Sequence, residues 1–208
     1  MKLTWLGHAC FKVESKGEVL IIDPYEDGSV PGLGPVRERA SRVLCSHEHG
    51  DHAGRKAVEL VPAAGEALTV EVLDTFHDDA GGTLRGPNKI FIISDGQYRV
   101  AHLGDIGCEL TREQKEKLRG LDAVMVPVGG FFTIDGSQAA ELVKAIAPRI
   151  AIPMHFRDDE NGIGFGVIGT VQKFAESMGG AVAQSGSEAD LADAFDGQVL
   201  ILTPQNKL

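Results

Sequence analysis

The chain has 208 residues, 43 % of them hydrophobic, a formal net charge of −10 and three cysteines. This length can bury one sizeable core and predicts a single domain over residues 1–208. The acidic balance argues against a nucleic-acid surface, which needs a Lys/Arg stripe, and no apolar run approaches membrane-spanning length.

In chain order, residues 2–14 and 18–23 read as strands joined by a hairpin at Ser15-Lys16-Gly17. The irregular stretch 27–35, rich in Gly and Pro, reads as a surface loop. Residues 42–46 form the next strand. The segment 56–76 is mixed at its start, with 58–61 and 68–74 favouring strand. Residues 90–94 and 98–103 predict a hairpin turning at Asp95-Gly96. Thr111 and Gln114 have capping-box spacing and open a helix. A strand at 123–128 follows, then a helix over about 136–147 with Asp135 as N-cap and Pro148 beyond its end. Its Ala139, Ala140, Leu142, Val143 and Ile146 fall on one side, as core packing requires. A strand at 150–154, a helix at about 167–178 ending at Gly179-Gly180, and a strand at 198–203 complete the chain. Strands come in runs and helices gather in the second half. That pattern favours a β-sandwich with helical flanks over a doubly wound parallel sheet.

The chemistry concentrates at His47-Glu48-His49-Gly50-Asp51-His52, directly after the apolar run Val43-Leu44-Cys45-Ser46. His47 and His49 are two apart, so an extended backbone aims both imidazoles the same way. Asp51 and His52 follow on a turn loosened by Gly50. One loop thus feeds two neighbouring metal ions, His47/His49 to the first and Asp51/His52 to the second. The bland alternative, a His-rich surface loop, does not account for the spacing or for partners downstream. Those partners are His77, Asp105 and His155, each where a strand gives way to a loop, so the strand ends can converge on one rim. Nitrogen and carboxylate donors suit zinc, iron or manganese. His8 and His102 remain, each either a strand histidine bonded to backbone or a functional group: His8 facing the pocket, His102 orienting a ligand or shuttling a proton. Asp23 either fixes the tautomer of a ligand histidine or simply forms the turn before Pro24.

With these motifs in hand, the chain resembles the metallo-β-lactamase-fold hydrolases. The His-x-His-x-Asp-His run, an isolated His, a Gly-Asp and a late His occur in that family's order. Leu6-Gly7-His8-Ala9, Ile22-Asp23-Pro24, Phe76-His77-Asp78, Pro127-Val128-Gly129-Gly130, Phe132-Thr133-Ile134-Asp135 and Pro153-Met154-His155-Phe156 are most similar to the small group like ascorbate-6-phosphate lactonases. The resemblance covers residues 2–160 strongly and the tail weakly. It implies an α+β four-layer sandwich, with two mostly antiparallel or mixed sheets face to face and helices outside. It implies two divalent ions, zinc first and manganese or iron as alternatives. His47, His49 and His77 would hold one, Asp51, His52 and His155 the other, and Asp105 with a hydroxide would bridge them. Asp51 would also donate a proton to the leaving group, with His102 and His8 the remaining catalytic candidates.

The leading function is therefore a metal-dependent hydrolase cleaving a lactone, ester, amide or phosphoester in a small molecule. The alternatives are an iron-dependent oxygenase or redox enzyme on the same fold, and a non-catalytic binding module, which loss of ligands would signal. Arg85 and Lys89, in and just after a glycine-rich stretch, either meet a phosphate or carboxylate or are loop-surface charges. Neither a nucleic-acid nor a membrane partner is expected, and a homo-oligomer is compatible with the sequence. Cys10, Cys45 and Cys108 are odd in number and scattered, unlike a disulfide framework. With no apolar leader before the first strand, a reducing cytoplasm is expected. Cys108, three residues after Asp105, is an outside candidate for a ligand.

Overall fold

The computed structural model describes residues 1–180, 182–184, 186–193, 195 and 198–208, with no account of the side chains at 182–184. The first half runs β1 (Lys2–Gly7), β2 (Cys10–Ser15), β3 (Glu18–Ile22), β4 (Glu38–Ala40), β5 (Arg42–Leu44), a 3-10 turn, β6 (Val58–Leu60), β7 (Thr69–Phe76), β8 (Pro87–Ser94) and β9 (Arg99–His102). There follow α1 (Arg112–Lys117), β10 (Ala123–Pro127), α2 (Gly136–Ile146), β11 (Ile150–Met154), α3 (Gln172–Ser177), β12 (Val182–Gln184), β13 (Glu188–Asp190) and β14 (Val199–Ile201).

Two sheets carry the architecture. One has the order β13-β1-β2-β3-β5, the other β12-β14-β11-β10-β9-β8-β7, and β4 pairs with β6 beside them. Both are mixed. β1, β2 and β3 are antiparallel while β3 and β5 are parallel, and β9, β10, β11 and β14 are parallel while β7, β8 and β9 are antiparallel. The α+β sandwich expected from the sequence is the fold observed.

Period-two alternation builds the layers. Trp5, Phe11, Leu20 and Ile22 point into the main core, which also takes Ile90, Val100, Val124 and Ile152 from the second sheet. Their neighbours Leu6, Cys10 and Ile21 point the other way into a smaller cluster with Tyr25, Leu33, Val36 and Val58. Among the described residues the cover over that outer face is therefore the 24–37 loop and β4/β6, with Ile163 added from the loop after β11. The helices lie against the larger sheet, where α2 packs on β10, α1 and α3.

Local signals explain most of the elements. Thr111 and Asp135 each form a capping box, with Gln114 and Gln138 respectively, and α2 ends at Ala147 in the left-handed conformation just before Pro148. Lys16 and Gly17 both have positive φ, as a two-residue hairpin turn requires. Two expectations change. Residues 2–14 are a hairpin and not one strand, since His8 turns the chain with φ 54 and β1 and β2 then pair antiparallel. The third helix is shorter than 167–178, spanning Gln172–Ser177, with turns and bends over residues 166–168.

Candidate metal centre

Each site residue leaves the carboxyl end of a strand: His8 after β1, Asp23 after β3, His47 to His52 after β5, His77 after β7, Asp105 after β9 and His155 after β11. Three of them, His8, Asp23 and His155, have positive φ (54, 47 and 54°), a conformation uncommon outside glycine that turns the chain sharply as the strand ends. The strand ends thus converge as the sequence predicts, and all seven expected ligands meet.

They fall in overlapping groups, of which one, Asp23, His47 and His52, links the other two. Of those two, His47, His49 and His77 form one, and His8, Asp51, His52 and His155 the other, with the ligand-type atoms of each within 4.8 Å of one another. Asp105 stands between them. Its Oδ2 lies 3.0 Å from His155 Nε2, 3.2 Å from His52 Nε2, 3.4 Å from His77 Nε2 and 4.0 Å from His47 Nε2. His47 Nε2, His52 Nε2 and Asp105 Oδ1 are buried with no hydrogen-bond partner. Unpartnered polar atoms at this depth are costly unless something of opposite character joins them. Imidazole nitrogens and carboxylate oxygens facing one another across such gaps fit divalent cations. His49 is exposed and Asp51 half-buried, so the centre opens to solvent on that side.

Supporting groups fix these side chains. Asp23, fully buried, accepts from the Ser46 N–H (2.6 Å) and Ser46 Oγ (2.6 Å), and its Oδ2 lies 2.8 Å from His52 Nδ1. A carboxylate at this position can hold a proton on His52 Nδ1 and so orient Nε2 toward Asp105. Asn88 holds Asp105. Its Oδ1 accepts from the Asp105 N–H (2.9 Å), and its amide donates to Leu103 O and Thr75 Oγ1. Gly104, at φ +55, lies so close to Asn88 and Ser46 that a Cβ there would fall on both. Asp78 accepts four backbone N–H groups, from Ala80, Gly82, Leu84 and Arg85, and so clamps the loop that follows His77. Asn88 carried no site signal in the sequence, because its partners lie elsewhere along the chain, and Ser46 and Asp78 stood there only as neighbours of ligand-type residues.

The electrostatics follow from burial. Burial and the neighbouring His155 push His8 down to about 4, and burial with His52 nearby pushes His47 down to about 3. Burial opposes protonation of His52 as well, yet the carboxylates of Asp105 and Asp23 hold it well above the ordinary histidine value. Burial also opposes charge on Asp105 and Asp51. The histidines outweigh it, keeping both well below the usual carboxylate range.

His8 is brought in, with Nε2 3.3 Å from Asp51 Oδ2 and its ring centroid 4.0 Å from that of His155. His102 is not. Its Nε2 lies 2.8 Å from Ala9 O and its Nδ1 accepts from the Gly104 N–H at 3.1 Å, so both nitrogens are engaged by backbone. These contacts fit the alternative of a strand histidine bonded to backbone, tying the first hairpin to the Gly104 turn. Cys108 is half-buried and stands in neither ligand cluster.

With this geometry established, residues 2–155 match the family model described as a beta-lactamase superfamily domain. The chain belongs to that superfamily. A UPF0173 protein of Pyrococcus furiosus is 32 % identical over an alignment of 182 positions, with 75 % of this chain and 83 % of the relative covered. A UPF0173 metal-dependent hydrolase of Pyrobaculum neutrophilum is 30 % identical over 190 residues, with 75 % and 84 % covered. A crystal structure from Thermotoga maritima, proposed to be a Zn-dependent hydrolase of the metallo-β-lactamase superfamily, has a TM-score of 0.73 at 25 % identity and covers 97 % of both chains. Among the described residues, no helix of this superfamily member is long and apolar enough to cross a membrane.

Proposed function

We propose that this chain is a metal-dependent hydrolase holding two divalent cations and cleaving a lactone, ester, amide or phosphoester bond in a small molecule. The observation that carries the reading is Asp105, whose carboxylate sits between the two clusters with one oxygen buried and unpartnered. His47, His49 and His77 would hold one cation, Asp51, His52 and His155 the other, and Asp105 both; zinc is the first expectation for this donor set. Bound there, the cations would polarise the scissile group and make water a nucleophile near neutral pH.

The protein's own side chains do the rest. Asp51, half-buried beside His8 on the side of the centre that opens to solvent, is placed to pass a proton to the leaving group. His8, kept neutral by burial, donates its Nε2 proton to Asp51 and fixes the carboxylate's orientation. Phe165 lies edge-on to His8 with ring centroids 5.5 Å apart and packs that face of the imidazole.

The test is a panel of lactones, esters and phosphoesters offered to metal-loaded wild type and His49→Ala. Turnover should fall by roughly 10²-fold or more in the variant, with circular dichroism unchanged because His49 is exposed. Turnover at the wild-type rate in fully metal-stripped protein would overturn the reading.

A further inference from the structure

Most arginines of this acidic chain are neutralised where they stand. Arg37 meets Asp27, Arg42 meets Glu18, Arg55 meets Glu48 and Arg149 approaches Asp122. Arg99 is capped by the carbonyls of Arg119 and Lys117. Arg85 is different. Among the described residues its guanidinium has no carboxylate or carbonyl partner, and its one contact is the Phe132 ring, 5.7 Å from the guanidinium carbon to the ring centroid.

Its setting is built, and built onto the metal centre. Arg85 sits one residue before Gly86, whose carbonyl accepts the backbone N–H of the ligand-type His77 at 3.1 Å. Its own N–H donates to Asp78 at 2.7 Å, the last of the four bonds that clamp this loop. On the opposite side, Phe132 meets Phe165 at 6.1 Å between centroids, and Phe165 meets His8 at 5.5 Å. The sequence Arg85, Phe132, Phe165, His8 is therefore an arc that starts beside one ligand cluster and ends in the other. The three loops carrying it also expose Leu84, Phe131 and Val167 (70, 64 and 58 %). A guanidinium preorganised over an aromatic face, with its N–H groups unspent, is a receptor for a carboxylate or phosphate.

We propose that Arg85 is the specificity-determining residue of this site, selecting small substrates that carry a carboxylate or phosphate away from the scissile bond. The inference rests on the hydrolase reading only for the word substrate; the anion site itself is a property of the chain. The aromatic arc and exposed apolar side chains would take the organic body between the two ends.

The experiment is calorimetric. Metal-loaded wild type is titrated with glutarate, adipate and 3-phosphonopropionate, and with butyrate as the singly charged control. At least one dianion should bind about ten- to a hundred-fold more tightly than butyrate. A preference for glutarate or adipate identifies a carboxylate receptor, and one for the phosphonate a phosphate receptor. Arg85→Gln should remove the preference while metal content stays at the wild-type value, and Arg85→Lys should restore part of it. No dianion preference in wild type, or one that survives Arg85→Gln, overturns the proposal. Preference lost in Arg85→Gln, with no cleavage of any ester by wild type, upholds the anion site and counts against the hydrolase reading alone.

Discussion

At the scale of single residues, the centre depends on groups that touch no cation. Asp23 is the clearest: its carboxylate meets Ser46 through two hydrogen bonds and His52 through a third. Asp23→Asn retains size but puts an N–H where an acceptor is needed. Metal affinity should fall about 10- to 100-fold, read by competition against a chromogenic chelator, and unchanged affinity would mean that Asp23 is only a turn residue. The ligand-type residues were legible in the sequence because imidazole and carboxylate identity is explicit and the His47 to His52 spacing is local. In the sequence His102 stays open between a backbone tie and a catalytic role for the same reason. Its identity and its place three residues before Asp105 suggest chemistry, while the contact that decides its role, to Ala9 O, spans 93 positions.

At the scale of elements, strand ends do the positioning, and close approach does the fine placement. Gly104 turns the chain between β9 and Asp105 in a space that Asn88 and Ser46 fill. Gly104→Ala combines a positive-φ penalty with a clash. It should destabilise the metal-free protein by more than about 1 kcal/mol, and a denaturation midpoint equal to wild type would contradict this. Helix caps were legible because Thr111, Gln114, Asp135 and Gln138 act over three residues. The β1–β2 turn was not, because apolar residues run on from Leu6 through Ala9, Cys10 and Phe11 and hide a reversal made by the backbone at His8. Loop cover over the smaller sheet was equally hidden. Val30, Leu33 and Val36 look like scattered apolar residues until Ile21 and Tyr25 meet them.

For the whole molecule, burying this many ionisable groups links folding to pH. His8 and His47 are held neutral in the fold, at about 4 and about 3, against about 6.5 in an unfolded chain. Between those values the unfolded state binds more protons. The stability they contribute is therefore present above pH 6.5 and lost as pH falls toward 4, by up to about 1.4 kcal/mol per pH unit for each. His52 runs the other way. Its value is raised, so its contribution is complete below 6.5 and is lost only as pH rises through the raised value. Urea denaturation of chelator-treated protein at pH 7, 6 and 5 should show a falling midpoint; a flat profile would show that His8 and His47 are not buried neutral.

The central claim is that two clusters joined by Asp105 hold two cations, and metal stoichiometry addresses it most directly. Elemental analysis of protein purified without chelator or affinity metal should give close to two zinc or manganese ions per chain, falling to about one in His49→Ala. A single ion in wild type, or two retained in His49→Ala, would contradict the account.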